Sequence, residues 1–207
     1  MEMMGALIRK QFRGERVYSV AIMPCTAKKF ECKREELDKD GVPVVDLVIT
    51  TVELIRMIQE SLINFAELPD SEADNPLGTF TGGGAIFGVT GGVTEAVSRR
   101  VVGQTSPEAM KSIAECGVRG LQGTKIFEVT AGDRTLRIGV VSGLKNADQL
   151  IDQLQKGRLE LDFVEVMACP GGCAGGGGQP ITDGVELADV RGSRLYELDK
   201  NNPLRFS

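Results

Sequence analysis

Residues 163–180, Phe163-Val-Glu-Val-Met167-Ala-Cys169-Pro-Gly-Gly-Cys173-Ala-Gly-Gly-Gly-Gly-Gln179-Pro180, join a strand signal directly to a glycine-rich segment. The first five residues are mostly β-branched or apolar and predict a β-strand. The glycines that follow let the backbone approach a bulky inorganic group and offer it N–H donors. The thiols of Cys169 and Cys173 can then meet one metal centre, so this stretch predicts a metal site at the end of a strand.

The cysteine spacing alone leaves three alternatives open. A flexible glycine-rich loop with two incidental thiols is the first. Structural zinc is the second, but a closed zinc site takes four ligands, and in a chain without His all four would be Cys. A redox pair is the third and is less favoured, because the usual redox spacing is C-x-x-C rather than C-x-x-x-C.

Another cysteine follows a second strand signal. Residues 16–23 (RVYSVAIM) predict a buried strand that runs straight into Pro24 and Cys25. Lys28 places an ammonium group close to this thiol, an arrangement that suits an anionic ligand. The alternative is a buried cysteine followed by surface lysines.

Strand and helix signals alternate along the chain. Thr50-x-x-Glu53 predicts a capping box, and a helix of about ten residues is expected from Val93 onward. Further predicted elements are strands at 46–51, 126–129 and 136–141, a hairpin turn at 131–133, and a helix capped by Asn146-x-x-Gln149. This order predicts an α/β fold over residues 1–207, as one unit or two small lobes, with a mainly parallel sheet flanked by helices. Ligands of such sheets bind beyond the carboxyl ends of the strands, where Cys25 and Cys169 fall.

Composition narrows the classes of function. A net charge of −5 argues against nucleic-acid and anionic-membrane partners. No apolar run approaches the ~18–20 residues of a membrane span, and residues 1–16 do not resemble a signal peptide, so we expect a cytoplasmic protein. The absence of His excludes Ser-His and Cys-His catalysis, and five cysteines favour metal ligation or free thiols over a disulfide framework.

Residues 78–92 (GTFTGGGAIFGVTGG) contain seven glycines around Ile86 and Phe87. The two apolar residues could form a lid over a pocket, although helix–strand packing is the commoner use of such a pattern. The segment fits neither the G-x-G-x-x-G nor the G-x-x-x-x-G-K-[ST] template, which disfavours phosphate binding.

Together, the three segments resemble the iron-only (FeFe) hydrogenases. Residues 23–31 (MPCTAKKFE) are similar to the second signature of that family, and residues 165–180 are similar to the third. Residues 86–96 (IFGVTGGVTEA) resemble its glycine-rich segment. The order and separation of the motifs also agree, and the resemblance covers nearly the whole chain.

The resemblance implies an H-cluster, in which a 4Fe–4S cubane shares a cysteine sulfur with a di-iron unit carrying CO, cyanide and a bridging dithiolate. It implies that Cys25 and Cys169 ligate the cubane, and that Cys173 ligates it and bridges to the di-iron unit. Lys28 would donate a hydrogen bond to a cyanide. The residues implied to surround the cofactor are Met23, Pro24, Phe87, Gly88 and Met167, with Glu31 as structural support.

The implied reaction is the reversible reduction of protons to H₂ with electrons from a ferredoxin-like partner. Residues 1–22 contain nothing like the family's first signature, which supplies the fourth cubane cysteine. We therefore expect a fragment that is inactive by itself and is completed by an N-terminal segment or another subunit. Cys32 and Cys116 match no motif and are interpreted as structural thiols.

Two other functions stay open. The chain could be a hydrogenase-like scaffold for iron–sulfur assembly, sensing or protein interaction. It could also be a structural lobe that docks on a subunit carrying the missing motif. Retention of Lys28 and Cys173 favours catalytic ancestry, because a scaffold would not need a cyanide-facing lysine.

Overall fold

The computed structural model describes residues 1–38, 41–102, 119, 123–131 and 133–204. They fall into two units. The first comprises Met1–Ala73 and Gly176–Asp183, and the second comprises Asp74–Gly175 and Gly184–Ser207. Both units combine strands with helices, so the predicted α/β class is confirmed.

The first unit is built on a parallel pair of short strands. They pair in the register Val20↔Leu47 to Met23↔Thr50. In chain order the elements are α1 (Glu2–Gln11), β1 (Val20–Met23), α2 (Lys28–Glu31), a 3₁₀ turn (Glu35–Leu37), β2 (Leu47–Thr50), α3 (Thr51–Glu60) and a 3₁₀ turn (Phe65–Glu67).

The predicted buried strand at 16–23 is shorter and more exposed than expected. Only Val20–Met23 is a strand, and Val20 and Ile22 are 48% and 52% exposed. Among the described residues β1 pairs only with β2, and a two-stranded sheet has too little neighbouring structure to bury both faces.

The predicted capping box at the start of α3 is confirmed. The Glu53 N–H donates to Thr50 Oγ1 at 3.2 Å, and the Thr50 N–H donates to Glu53 Oε2 at 2.7 Å. This local exchange satisfies two helix N–H groups that would otherwise lack partners. It fixes the point where β2 turns into α3.

The second unit is built on a three-stranded sheet in the order β3-β4-β5. β3 and β4 form an antiparallel hairpin, whereas β4 and β5 are parallel. This sheet is therefore mixed, whereas the sheet of the first unit is parallel, and two of the three strand pairings in the described residues are parallel, as predicted. In chain order the elements are α4 (Gly82–Ala85), a 3₁₀ turn (Ile86–Gly88), α5 (Gly92–Val102), β3 (Gly123–Ala131), β4 (Arg134–Ser142), α6 (Leu144–Gln155), β5 (Phe163–Met167), a 3₁₀ turn (Gly172–Gly175) and α7 (Ala188–Asn201).

The second unit contains some of the elements predicted from the sequence and differs from the prediction in others. The pairing of the two predicted hairpin strands and the strand β5 are confirmed, while Gly132 of the expected turn lies outside the described residues. The expected cap at Asn146 is wrong, because α6 already begins at Leu144 and the Asn146 side chain donates to the Ser142 carbonyl at 2.6 Å. Helix α7 was not predicted. No helix of the described residues is long and apolar enough to cross a membrane.

Two apolar clusters form the core of the second unit. Val141, Ala147, Leu150 and Leu159 pack between the sheet and α6. Ile86, Val89 and Ala174 pack together with Leu195 and Tyr196 of α7. The second cluster therefore joins the glycine-rich segment, the cysteine loop and α7.

A buried ion network joins α5 to α7. The Arg99 guanidinium donates to both Asp199 carboxylate oxygens at 2.7 Å and to Glu95 at 2.5 Å. Arg119 donates to both oxygens of Glu95 at 2.8 Å, and its guanidinium lies 4.3 Å from the Tyr196 ring centre. Burial, partly offset by Arg119, raises the pKa of Tyr196 to about 12.

We predict that Asp199→Asn lowers the free energy of unfolding by roughly 2–4 kcal/mol, because it removes a counter-charge from buried Arg99 while keeping the side-chain shape. Urea denaturation measures this change. The control is Asp152→Asn, whose exposed pair with Lys156 should contribute under about 0.5 kcal/mol. Equal effects of the two substitutions would contradict the structural role of the network.

Candidate metal centre

The Cys25 loop follows directly from the carboxyl end of β1. The Gly178 N–H donates to the Pro24 carbonyl at 3.0 Å, and the Gly178 carbonyl accepts from the Val52 N–H at 3.1 Å. Gly178 thus lies between the Cys25 loop and the first turn of α3. It belongs to the glycine run that follows Cys173 in the sequence.

Gly178 is required by close packing. A Cβ at this position would lie 2.9 Å from the Cys25 nitrogen and 3.0 Å from Thr50 Cβ. The neighbouring Gly177 differs, because its Cβ would meet only Thr26 Oγ1 at an ordinary 3.6 Å. The glycine run is therefore not a uniformly flexible linker, since one of its members closes the Cys25 loop.

Two lysines after Cys25 have carboxylate partners. The Lys28 ammonium donates to Glu31, which lies on the same short helix, and both side chains are partly buried. Lys29 lies 2.8 Å from Glu53, and this contact, together with the Thr50 N–H, lowers the pKa of Glu53 to about 2. Glu31, which was expected to give structural support, contacts Lys28, the residue predicted to face the ligand.

In the second unit, Cys169 and Cys173 lie in a loop that is hydrogen-bonded to the end of β4. The Gly171 N–H donates to Ser142 Oγ at 3.3 Å, and the Gly172 N–H donates to the Cys169 carbonyl at 3.0 Å. Cys173 lies in the 3₁₀ turn that begins at Gly172. Both cysteines are partly exposed.

The glycine-rich segment packs directly on this cysteine loop. Gly172 has φ +77°, and a Cβ there would lie 2.8 Å from the Thr90 nitrogen and 3.0 Å from the Gly88 carbonyl oxygen. Ile86 is fully buried in the core, whereas Phe87 is 46% exposed. Ile86 is thus a packing residue rather than part of a lid, and of the two only Phe87 is accessible to a ligand.

A buried carboxylate in β5 connects the same two segments. Glu165 is 5% exposed. Its Oε1 accepts from the Gly91 N–H at 2.7 Å, and its Oε2 accepts from both the N–H and the hydroxyl of Thr94 at 2.7 Å. In the sequence, Glu165 stands out only as one residue of the motif at 165–180. A carboxylate in the middle of the apolar run Phe163-Val-Glu-Val-Met167 was the signal that could have identified it.

The thiols present suit an iron–sulfur group. Cys25, Cys32 and Cys169 are not in disulfide bonds and are partly exposed. Soft thiolates with nearby backbone N–H groups are the ligands that iron–sulfur clusters take. Cys32 Sγ donates to the Lys29 carbonyl at 3.4 Å, and Cys116 lies outside the described residues.

Within the part of the chain that the structure describes, no three Cys, Asp or Glu side chains converge as ligands of a single metal ion. The ligands of a 4Fe–4S cluster each bind a different iron atom, so they need not converge on one point.

Comparison with known proteins identifies the family. The model of the iron-only hydrogenase large subunit, C-terminal domain, matches residues 1–177, which include all three motif cysteines. The chain belongs to this family. FeFe-hydrogenases of the family carry the H-cluster, with its 4Fe–4S and di-iron parts.

Individual relatives include both hydrogenases and assembly proteins. The chain is 45% identical to the NADP-reducing hydrogenase subunit HndD of Solidesulfovibrio fructosivorans over 100% of its own length and 36% of the relative's. It is 32% identical to cytosolic iron-sulfur assembly component 3 of Mus musculus, covering 95% of the chain and 44% of the relative. The chain thus spans less than half the length of these relatives.

A solved structure agrees with the fold. A variant of the FeFe-hydrogenase HydA1 from Chlamydomonas reinhardtii matches with a TM-score of 0.75 and 34% identity, covering 99% of this chain and 60% of that one.

We predict that Gly178→Ala destabilises the first unit by about 1–3 kcal/mol, because the added methyl group must push the Cys25 backbone aside. Thermal unfolding followed by circular dichroism measures the change. Gly177→Ala is the matched control and should change stability by less than about 1 kcal/mol in either direction. A destabilisation at position 177 as large as that at 178 would show that Gly178 is not the closing contact.

Proposed function

We propose that this chain supplies the second and third cysteine motifs of an FeFe-hydrogenase catalytic domain. In this proposal Cys25 and Cys169 ligate the 4Fe–4S cubane, and Cys173 ligates it and bridges to the di-iron unit. The observation that carries the proposal is the close packing around both cysteine loops, with Gly178 against the Cys25 backbone and Gly172 against the glycine-rich segment. When bound, the cluster supplies electron transfer and the reversible reduction of protons to H₂.

Lys28 is proposed to donate a hydrogen bond to a cyanide of the di-iron unit. Its ammonium is held by Glu31 within one helical turn, which restricts the positions that the long side chain can take. A cation so held offers a directed donor to an anionic ligand. Glu31 would then orient Lys28 rather than touch the cofactor.

The remaining cofactor-binding residues are proposed to exclude water. Met23 and Met167 end β1 and β5 and are partly buried, and the Phe87 ring is nearly half exposed. Apolar side chains of this kind limit access to a reactive metal and lower the local dielectric constant. Pro24 and Gly88 provide backbone beside the cofactor in the same proposal.

Hydrogenase activity is proposed for the whole protein of which this sequence forms a part. Its substrates would be H₂ and protons, its electron partner a ferredoxin-like protein, and its compartment the cytoplasm. Since the chain spans 36% of the relative from Solidesulfovibrio fructosivorans, a complementary N-terminal segment or subunit would provide the remaining cubane ligand.

A second candidate function is iron–sulfur assembly without hydrogenase activity. The 32% identity to the mouse assembly component over 95% of the chain favours it. In this alternative the same cysteines would hold an iron–sulfur cluster without a di-iron unit. The two candidates differ in the need for Lys28 and for a bridging thiolate at Cys173, and both residues are present in the order that the hydrogenase motifs require.

The test is iron and acid-labile sulfide per chain after anaerobic reconstitution. We expect about four of each in the parent chain. Cys169→Ala should lose most of both, because it removes a proposed ligand. Cys32→Ala is the matched control and should retain them, since this thiol donates to the Lys29 carbonyl of the helix that precedes it.

Circular dichroism of the iron-free variants establishes that both remain folded. Equal iron and sulfide in the parent and in Cys169→Ala would show adventitious binding and would overturn the proposed site. A parent chain that binds no specific iron after reconstitution would also overturn the proposed site.

A further inference from the structure

The contacts of Glu165 form a capping box supplied from a distant part of the chain. Helix α5 begins at Gly92, so Gly91 is its N-cap residue and Thr94 its third residue. In an ordinary capping box the side chains of these two positions accept each other's N–H groups. Glycine has no side chain to offer, and Glu165 accepts both N–H groups instead, 74 and 71 residues further along the chain.

The same molecule contains the ordinary form for comparison. At α3, Thr50 and Glu53 exchange the two hydrogen bonds locally. Its two capping bonds stay within the β2–α3 junction, and the Glu53 carboxylate also forms an ion pair with Lys29. The box at α5 joins the helix terminus to β5, because its acceptor belongs to the strand.

This connection acts on the proposed cluster site. β5 ends at Met167 and leads to Cys169, while the segment that precedes α5 carries Phe87. Gly172 packs on the backbone of residues 88–90 from the cysteine loop. The glycine-rich segment is therefore fixed at two points, by Gly172 and by Glu165.

The hydrogen bonds to the Glu165 carboxylate offset the cost of burying its charge. A buried carboxylate is unfavourable unless its oxygens are fully hydrogen-bonded. All three bonds to Glu165 are 2.7 Å long, in the range of strong hydrogen bonds to carboxylates, and the helix N-terminus adds a favourable dipole. Without them, a segment with glycines at 82–84, 88, 91 and 92 would have many alternative backbone conformations.

We propose that Glu165 is a positioning residue, which fixes the Cys169–Cys173 loop and the Phe87 segment relative to each other before any cofactor binds. This inference rests on the proposed function, because the two positioned segments are those proposed to hold the cluster. The hydrogen bonds of Glu165 themselves are present in the iron-free chain. Glutamine cannot replace Glu165, because its single carbonyl oxygen cannot reproduce the two-oxygen arrangement and its amide group is a donor facing donors.

The experiment compares the iron-free parent chain with Glu165→Gln. Amide hydrogen exchange at Gly91 and Thr94 should become at least about tenfold faster, as expected for the loss of one hydrogen bond to a carboxylate. Alkylation by iodoacetamide, quantified at each cysteine by mass spectrometry, should accelerate severalfold at Cys169 and Cys173. The rates at Cys25 and Cys32 should stay unchanged.

Two further variants separate the effect of the lost hydrogen bonds from that of the chemical change itself. Glu160→Gln makes the same chemical change at an exposed position before β5 and should alter neither readout. Thr94→Val removes only the hydroxyl bond and should produce smaller changes in the same direction. If Glu165→Gln does not fold, Thr94→Val decides the question in the same two measurements.

Unchanged exchange at Gly91 and Thr94 would overturn the proposal, as would equal acceleration at all four cysteines, which indicates general destabilisation. In the Thr94→Val chain, an unchanged alkylation rate at Cys169 and Cys173 would overturn it as well. Because both readouts use iron-free protein, failure of cluster binding overturns the proposed function and does not alter this result.

Discussion

Three hydrogen bonds to one buried carboxylate hold the glycine-rich segment on the strand that leads to Cys169. Without Glu165, Gly91 and Thr94 would present buried N–H groups with no acceptor, and α5 would lose its fixed starting point. The packing of Ile86 in the core and of Gly172 on residues 88–90 depends on where that segment runs. The arrangement of the second unit around its two cysteines follows from this contact.

The first unit achieves a similar result through close backbone packing instead of charge. Gly178 fits between the Cys25 loop and Thr50 with no space for a methyl group, and its N–H and carbonyl each bond a different element. The glycine run after Cys173 is therefore more than a flexible linker. One of its positions is structural for the Cys25 loop, while Gly177 has space for a side chain.

Local patterns in the sequence were sufficient for much of the fold. The Thr50–Glu53 box, β5 and the hairpin depend on residues close in sequence, and all three were predicted. Contacts between distant residues could not be predicted from one sequence. A carboxylate inside an apolar strand run marks Glu165 as unusual, but no local pattern indicates that its partners are Gly91 and Thr94. Glu165 is 74 residues from Gly91, and Asp199 is 100 residues from Arg99. The polar helix α7, which carries Asp199, was missed for the same reason, since its role lies in those long-range contacts.

Infrared spectroscopy tests the hydrogenase assignment most directly, because CO and cyanide absorb where protein does not. The chain, reconstituted with a cubane, would be incubated with a di-iron dithiolate complex carrying both ligands and then desalted. If Cys173 bridges to the di-iron unit, the bands remain with the protein and are shifted from those of the free complex, and they are lost in Cys173→Ala. Bands retained equally in Cys173→Ala, or a cubane-containing parent that retains none, would contradict the hydrogenase assignment and favour an iron–sulfur assembly role.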